Sequence, residues 1–296
     1  MPEENTVQKQ FNLASQPCHD KIATEPSAIF HEPEESYHAQ SGCNTQGKNL
    51  SSHLLSAFRS MPYKYQQMVS GNWHWPRSKA YLEGSVFHAY VLEGKLVCDE
   101  RYVSEGPVNP NTGLPFGITT KKWTEWEASM GAQGFTVITP PTRNLVTKMA
   151  DSVSRHKEAS RILNLSPIRE GVIRCKYNGF DCQTRMDAFG TTIGIVDLKS
   201  CADIYWFQGD AHKYGYLNQL AFYRQILRKA VPDACDDVHI IATEKSNMLT
   251  TGVWKLSHAA LDEAQEENEM EMQNLSRCMQ TGVWPTGYEN IRSLTA

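Results

Sequence analysis

The segment "GIVDLKS" (194–200) ends an apolar run with two opposite charges, Asp197 and Lys199, placed two residues apart. In a β-strand, residues i and i+2 point to the same face, so the carboxylate and the ammonium lie side by side. A surface ion pair of this kind contributes only about 0–1 kcal/mol to stability. The neighbouring sequence decides whether this is such a surface pair or part of a functional site.

The sequence around this segment predicts a three-stranded antiparallel meander. Runs that alternate and contain β-branched residues occupy 170–177, 180–190 and 192–200. Asn178-Gly179 is a strong hairpin signal between the first two runs, and "GTT" (190–192) marks the second turn. The segment "DVHIIATEK" (237–245) reads as a further strand.

Helical patterns precede and follow the meander. The predicted helices cover 49–71 in two segments opened by Ser51 or Ser52 and by Pro62, then 80–94, 121–134, 141–164, 211–230 and 257–282. The segment 104–117, rich in Pro, Gly and Asn, is a loop. The order of elements predicts an α/β class with α+β character, in which a central mixed sheet with an antiparallel meander is flanked by helices.

The composition is typical of a globular protein without membrane-spanning segments. The 296 residues are 40% apolar and 21% charged, and no apolar run approaches the roughly 20 residues of a membrane span. Residues 1–48 are polar and aperiodic, which predicts a flexible N-terminal extension before one domain over 49–296. Because no secretory signal is recognisable, we expect a cytoplasmic protein without a membrane partner.

Charge and cysteine usage exclude some functions. A net charge of −4 argues against coating nucleic acid through bulk positive charge, yet it allows an enzyme with a local basic groove. The eight cysteines show neither C-x-x-C nor Cys/His ligand spacing. We therefore expect no zinc site and no iron–sulfur cluster.

Two carboxylates are expected to meet at the ends of neighbouring strands. Asp187 lies near the end of the second meander strand and Asp197 near the end of the third. Like charges at close range repel, and a divalent metal such as Mg²⁺, which binds through one or two carboxylates, removes the conflict. Lys199 would then orient or deprotonate an attacking water, or neutralise a phosphate.

The spacing D-x₉-D-x-K resembles the core of the PD-(D/E)xK nuclease superfamily. Gly84-Ser85-x-x-His88 resembles the G-x-x-x-H helix of its RecB-like and RecE-like exonuclease branch, and Gln219-x-x-x-Tyr223 resembles the Q-x-x-x-Y motif of that branch. The stretches "EGPVNPNTGLPFG" and "GYLNQLAFYRQIL" also look like phage-type RecE (exonuclease VIII) relatives. Each motif alone is unspecific, but their order over roughly residues 50–290 is specific.

The resemblance implies a Mg²⁺-dependent double-stranded DNA exonuclease, with Mn²⁺ able to substitute. It implies digestion in the 5′-to-3′ direction that leaves 3′ single-stranded tails for annealing-type recombination. The implied partners are double-stranded DNA ends, a RecT-like annealing protein and further copies of the chain in a homo-oligomeric ring. The implied setting is the cytoplasm of a bacterial host, with a phage as one possible origin.

The resemblance also assigns roles to single residues. It places His88, Asp187 and Asp197 at the metal, and Lys199 at the position of the catalytic lysine. The main-chain carbonyl of Leu198, between the two charged residues, is expected as a further metal ligand. The resemblance implies that Gln219 and Tyr223 support catalysis and contact DNA. It implies a DNA contact for Ser200 too, which stands where relatives often have Thr, and a catalytic role for Glu170, which matches an acidic residue at the start of the first meander strand.

Other interpretations of the same residues stay open. Taken singly, His88 is more often a satisfied structural histidine, and Gln219 and Tyr223 are ordinary helix residues. A catalytically silent DNA-binding or assembly protein on the same fold is the alternative function. A Cas4-like or AddB-like nuclease with an iron–sulfur cluster is excluded, because it needs a C-terminal cysteine trio and only Cys235 and Cys278 lie beyond the core.

Overall fold

The centre of the protein is a sheet that contains the predicted meander. The structure is a computed structural model, and it describes residues 28–74, 76, 78–246 and 248–293. The strands are β1 (Leu50–Ser51), β2 (Tyr102–Val103), β3 (Thr136–Val137), β4 (Ile168–Tyr177), β5 (Phe180–Gly190), β6 (Gly194–Cys201), β7 (Val238–Glu244) and β8 (Thr251–Lys255).

Helices cover the sheet on both faces. They are α1 (Glu34–Ala39), α2 (Ser52–Ser60), α3 (Pro62–Val69), α4 (Lys79–His88), α5 (Lys95–Arg101), α6 (Lys121–Ala132), α7 (Pro140–Arg155), α8 (Lys157–Asn164), α9 (Phe207–Lys213), α10 (Tyr216–Ala230) and α11 (His258–Thr281). A π-helical turn, Ala89–Glu93, extends α4. The helices α2, α7, α10 and α11 each bury an apolar stripe against the sheet or a neighbouring helix, as their amphipathic patterns predict.

The sheet is mixed. Its strands run in the order β1-β5-β6-β7-β8, and β4 pairs with β5 as well. The pairs β4–β5 and β5–β6 are antiparallel, whereas β6 and β7 are parallel. A parallel pair needs a long crossover connection, which α9 and α10 supply. The predicted fold class, a central mixed sheet with an antiparallel meander flanked by helices, is confirmed.

The turn into β6 requires a glycine. Gly194 has a φ of 85°, and a Cβ at this position would lie 2.0 Å from the carbonyl oxygen of Asp237. The N–H of Ile195 donates to that same carbonyl at 2.9 Å. The first two residues of "GIVDLKS" therefore dock β6 against the start of β7.

Two hydrophobic cores lie on opposite faces of the sheet. Ile195 belongs to the core formed with α2, α3, α10 and α11, and its neighbour Val196 belongs to the core formed with α4, α7 and α8. This alternation follows from the two-residue period of a strand. By the same period, Asp197 and Lys199 share the face of Ile195, beneath α10.

Two predicted helices are each broken into two. The predicted helix 141–164 ends at Arg155 and restarts at Lys157, because His156 adopts extended angles and its Nδ1 accepts a hydrogen bond from the Ala159 N–H at 3.1 Å. The predicted helix 211–230 is broken at Gly215, whose φ is 67°. In both places one residue with non-helical angles interrupts a locally helical pattern.

The described part of the predicted N-terminal extension is packed. Ile29 and Tyr37 are buried, Phe30 pairs with Val172 of β4, and Glu32 forms an ion pair with Arg174. The prediction of a loose extension is therefore wrong for residues 28–48, because scattered apolar residues in a polar segment suffice to cover a sheet edge. Residues 1–27 lie outside the described ranges.

Other elements complete the domain. The predicted strand 237–245 corresponds to β7, and β8, which the sequence pattern did not indicate, pairs with it in antiparallel fashion. The short strands β2 and β3 form a separate parallel pair. In the described ranges, the helices are all too short or too polar to cross a membrane.

Candidate active site

The site lies at an opening along one edge of β5. On this edge β1 pairs with Cys182 and Gln183, and β6 pairs only with residues 188–190. In the gap, the Leu198 N–H donates to Oδ2 of Asp187 at 2.7 Å. A side-chain carboxylate thus replaces the main-chain acceptor that a continuing β-ladder would supply.

The main chain of Leu198 faces this opening. Ile195 and Cys201 hydrogen-bond toward β7 through their N–H and C=O groups, respectively. Alternate residues of a paired strand bond to opposite sides, so the peptide groups of Leu198 point toward β5. The Leu198 carbonyl lies on the same side of the strand as its N–H, next to Asp187. The Leu198 side chain is buried in the core formed with α4, α7 and α8.

Glu170 and Asp187 sit at a shared irregularity of β4 and β5. Arg169 pairs with Ala188 and Gly171 with Met186, so Glu170 lies opposite Asp187. Glu170 has a φ of 53°, a conformation that costs on the order of 1–3 kcal/mol and often occurs at functional sites.

The irregularity shifts the strand alternation by one residue. Ile168 and Ile173 both belong to the core formed with α2, α3, α10 and α11, although an odd number of positions separates them. The same holds for Met186 and Phe189. Residues on one face of a regular strand are an even number apart. Both strands therefore change phase at this point, which turns Glu170 and Asp187 toward the opening instead of into the core.

A histidine and two carboxylates converge there. Ligand atoms of His88, Glu170 and Asp187 all lie within 4.8 Å of one another. His88 is the last residue of α4, and its Nδ1 is 3.5 Å from Oδ2 of Asp187. A helix end and two strands therefore bring together residues that are distant in sequence.

The pKa values reflect this crowding. Burial and the neighbouring charge of Asp187 raise the pKa of Glu170 to about 8. Burial lowers the pKa of His88, but the charge and hydrogen bond of Asp187 outweigh it and raise this pKa to about 9. Burial likewise disfavours ionised Asp187, yet His88 and Lys199 hold the pKa of its carboxyl below the usual value.

Asp197 and Lys199 form a buried ion pair beside this cluster. Lys199 Nζ is 2.7 Å from Asp197 Oδ2, and Asp197 is only 2% exposed. Burial raises the pKa of Asp197 to about 6, against the lowering effect of Lys199. Burial lowers the pKa of Lys199, but Asp197 and Asp187 outweigh it and raise this pKa above its ordinary value. The lysine is therefore held as an ammonium ion.

The helix α10 holds the lysine from the other side. Lys199 Nζ donates to Oε1 of Gln219 at 3.3 Å, and Nε2 of Gln219 donates to the hydroxyl of Tyr223 at 3.2 Å. The spacing Q-x-x-x-Y places both side chains on one helical face, as the sequence predicts. The ring of Tyr216 lies 4.7 Å from the same ammonium, in a cation–π contact.

The structure thus brings most of the predicted residues together, with one difference in grouping. His88, Asp187 and the Leu198 main chain adjoin one another, but the second carboxylate within reach of the imidazole is that of Glu170, not that of Asp197. Asp197 instead holds Lys199. Ser200 lines the same cleft.

Several residues of the site were not foreseen from the sequence. Arg185 Nε lies 2.9 Å from Oε2 of Glu170, and Glu83 of α4 is buried and forms an ion pair with Lys245 at 3.3 Å. The R-x-D spacing could have indicated Arg185, because residues i and i+2 of a strand point to the same face, as in the D-x-K segment. No local pattern marks Glu83, Lys245 or Tyr216.

The donor set fits a divalent metal ion. An imidazole nitrogen and carboxylate oxygens suit Mg²⁺ or Mn²⁺, and the adjoining Leu198 carbonyl offers another oxygen. Two buried carboxylates, of which Asp187 raises the pKa of Glu170, are a poor structural motif without a cation between them. The cluster opens into a cleft of about 1130 Å³, lined also by Lys199, Gln219 and Tyr223.

Comparisons with known proteins agree with this architecture. Residues 51–296 match the model of a family described as "PDDEXK-like domain of unknown function (DUF3799)". A crystal structure described as "Putative exonuclease" from Eubacterium rectale is similar at 15% identity and a TM-score of 0.63, over 90% of this chain and 97% of that one. A comparison with curated proteins gives no match.

Proposed function

We propose that this chain, which belongs to the family of PDDEXK-like domains, is a divalent-metal-dependent nuclease that hydrolyses phosphodiester bonds. One observation carries the proposal: a metal-ligating cluster of His88, Glu170 and Asp187 shares a cleft with the buried Asp197–Lys199 pair. An acidic metal site beside a lysine suits the hydrolysis of phosphodiesters, because negative charge develops on the phosphate oxygens during that reaction.

The metal would be held by His88, Asp187, Glu170 and the Leu198 carbonyl, with Asp197 close by. When bound, such an ion polarises a phosphoryl oxygen and lowers the pKa of a coordinated water. Glu170, whose pKa is raised to about 8, loses its proton on binding the cation.

Lys199 acts as a fixed positive charge in this proposal. Its raised pKa and its contacts to Asp197 and Gln219 favour a protonated side chain with a defined position. An ammonium held in this way orients the scissile phosphate and stabilises the charge that develops on its oxygens. Tyr223 acts through Gln219, which it positions by a hydrogen bond.

The substrate in this proposal is linear double-stranded DNA with Mg²⁺ as the cofactor. The finer details rest on the resemblance of the ordered motifs to RecE-like exonucleases: 5′-to-3′ digestion, 3′ single-stranded tails, assembly into a ring on DNA ends, and cooperation with a RecT-like annealing protein. The similar protein from Eubacterium rectale is described as a "Putative exonuclease", which supports an end-directed activity.

The test is the digestion of linear duplex DNA labelled separately at its 5′ and 3′ ends, with Mg²⁺ and with EDTA. Metal-dependent early release of the 5′ label is the expected result. Early release of the 3′ label would overturn the polarity, and cleavage of closed circular DNA at an equal rate would overturn the dependence on ends. Binding of DNA without any hydrolysis would favour the catalytically silent binder.

A further inference from the structure

A second cleft, of about 750 Å³, continues from the active-site cleft and differs from it in charge. It is lined by residues of the segments 37–59, 68–81 and 214–223 and by Asn268. Tyr81, Tyr214 and Gln219 line both clefts. None of the described residues that line the second cleft is Asp or Glu, although the chain contains 33 acidic residues.

The second cleft contains cations that form no direct ion pair within the described ranges. In the described ranges, neither Lys48 nor Arg59 forms an ion pair with a carboxylate, although the charges of Glu267 and Glu271 reach Arg59 from outside the lining of the cleft. Arg59 donates from Nη2 to Oδ1 of Asn268 at 2.5 Å, while its buried Nε has no hydrogen-bond partner among the described residues. Lysine and arginine side chains left in this state are suited to bind phosphate oxygens.

Aromatic rings connect this cleft to the catalytic lysine. Tyr81 and Tyr214 are each 56% exposed at the junction of the two clefts. The ring of Tyr214 lies 5.9 Å from that of Tyr216, which in turn contacts the ammonium of Lys199. Exposed rings beside cations are the arrangement on which unpaired bases stack, with little dependence on sequence.

We infer that the second cleft holds an unpaired stretch of the polynucleotide strand whose phosphodiester bond lies in the active site. Its phosphates contact Lys48 and Arg59, and its bases stack on Tyr81 and Tyr214. This inference rests on the proposed nuclease function and narrows its substrate class to a strand that is unpaired next to the scissile bond. An acidic protein segment would also suit the cations, but the row of rings leading to Lys199 favours bases.

The test measures the binding of fluorescent duplexes of equal length, either blunt or with a short unpaired 5′ or 3′ tail. The proteins are full-length chains that carry Lys199→Met to prevent hydrolysis, with Mg²⁺ present. The test variants add Lys48→Ala or Arg59→Gln. The matched control adds Lys176→Ala, which removes an exposed lysine of β4 that lines neither cleft.

We expect tighter binding of one tailed duplex than of the blunt duplex. Lys48→Ala and Arg59→Gln should each weaken the binding of that tailed duplex about 5–10-fold and reduce the slope of log affinity against log salt by about 0.7. The control should not change either value. If melting shows that Arg59→Gln perturbs the fold, only the result for Lys48→Ala is used. This substitution should leave the fold unchanged, because the Lys48 side chain makes no hydrogen bond or ion pair in the described ranges.

Equal binding of the tailed duplex by Lys48→Ala and the control would overturn the inference, as would equal weakening for blunt and tailed duplexes. A change in self-association with Lys48→Ala, measured by sedimentation, would assign the cleft to a second copy of the chain and also overturn it. The proposed nuclease function is tested separately. It fails if the unmodified protein hydrolyses no labelled DNA with any divalent metal, whereas the outcomes above concern only the binding of DNA in the second cleft.

Discussion

Lys199 places its ammonium 2.7 Å from the carboxylate of Asp197, two positions before it on the same strand, in a site where Asp197 is almost fully buried. The charges of "GIVDLKS" are therefore not a solvated surface pair. Burial of two charges is costly unless they are paired and further hydrogen-bonded, and Gln219 supplies one of those bonds. The pair fixes a cation beside the cluster of His88, Glu170 and Asp187.

Lys199→Met should abolish most of the hydrolysis. The variant keeps the volume of the side chain but removes the charge, which we expect to lower kcat by roughly 10²–10³-fold. Without the ammonium, the pKa of Asp197 should rise further, so the buried carboxyl is neutral and the fold is retained. Turnover of labelled DNA and thermal melting provide the two readouts.

The control for this variant is Lys255→Met, which removes another strand lysine paired with an aspartate. Lys255 lies 2.5 Å from Asp237, away from the cleft. Loss of activity in Lys255→Met equal to that in Lys199→Met would contradict the role given to Lys199.

Asp187→Asn should remove metal binding while leaving the fold intact. The amide oxygen can still accept the Leu198 N–H, which now donates to Oδ2 of Asp187 at 2.7 Å. The negative charge toward His88 and Glu170 is lost. Calorimetric titration with Mn²⁺ should show binding by the unmodified protein and by Asp181→Asn, an exposed position on the same strand, and none by Asp187→Asn. Unchanged Mn²⁺ affinity would place the metal elsewhere.

The metal-free protein should lose stability as the pH rises from about 6 to 9. Folded Glu170 keeps its proton up to a pKa of about 8, whereas its ordinary value is 4.5, so the folded state binds more protons in between. His88, with a pKa raised from 6.5 to about 9, acts in the same direction. Asp187, whose pKa is lowered from 3.8, acts only in more acidic solution.

Melting temperatures in EDTA across this pH range measure the effect. In Glu170→Gln the side chain is neutral at every pH, so the fall should be shallower than in the unmodified protein. Parallel profiles for the two proteins would show that Glu170 does not titrate in this window.

Gln219 should matter more than Tyr223. Gln219→Ala removes the contact to Lys199 itself, whereas Tyr223→Phe removes only the hydroxyl that receives the Gln219 amide. For the loss of one such hydrogen bond we expect about a fivefold fall in kcat for Tyr223→Phe, and a larger fall for Gln219→Ala. Separate measurement of kcat and KM checks the order. A larger effect of Tyr223→Phe would indicate that its hydroxyl touches the substrate directly.

Gly194→Ala should destabilise the fold by about 2–5 kcal/mol, because it adds a clash to an unfavourable φ. The new Cβ would lie 2.0 Å from the Asp237 carbonyl oxygen. Gly179→Ala is the matched control, since Gly179 has a φ of 84° and open space around it, and should cost only about 1–2 kcal/mol. Equal losses in denaturant unfolding would mean that β6 shifts to relieve the clash.

Much of the fold could be predicted because local signals agree with it. The Asn178-Gly179 turn and the alternating runs define the meander, and the order of motifs identifies a PD-(D/E)xK-type domain, which the family match confirms. The breaks at His156 and Gly215 were not predictable from periodicity, because one residue with non-helical angles interrupts an otherwise helical pattern.

The central residues of the candidate site were predicted from the sequence, but their grouping and the supporting residues Arg185, Glu83, Lys245 and Tyr216 were not. Asp187 and Asp197 end neighbouring strands, which suggested one pair of metal ligands. The phase shift at Glu170 turns that residue toward His88 and leaves Asp197 to hold Lys199. Such a shift depends on strand pairing between distant segments, so no local pattern reveals it. The RecE-like assignment, the direction of digestion and the partners stay predictions.

The most direct test of the central claim compares hydrolysis of linear duplex DNA by Asp187→Asn and by its control Asp181→Asn, each with Mg²⁺ and with EDTA. The account predicts metal-dependent release of nucleotides by the control at the rate of the unmodified protein and none by Asp187→Asn. Hydrolysis by Asp187→Asn at the control rate, or hydrolysis that persists in EDTA, would contradict a metal-dependent nuclease centred on this cluster.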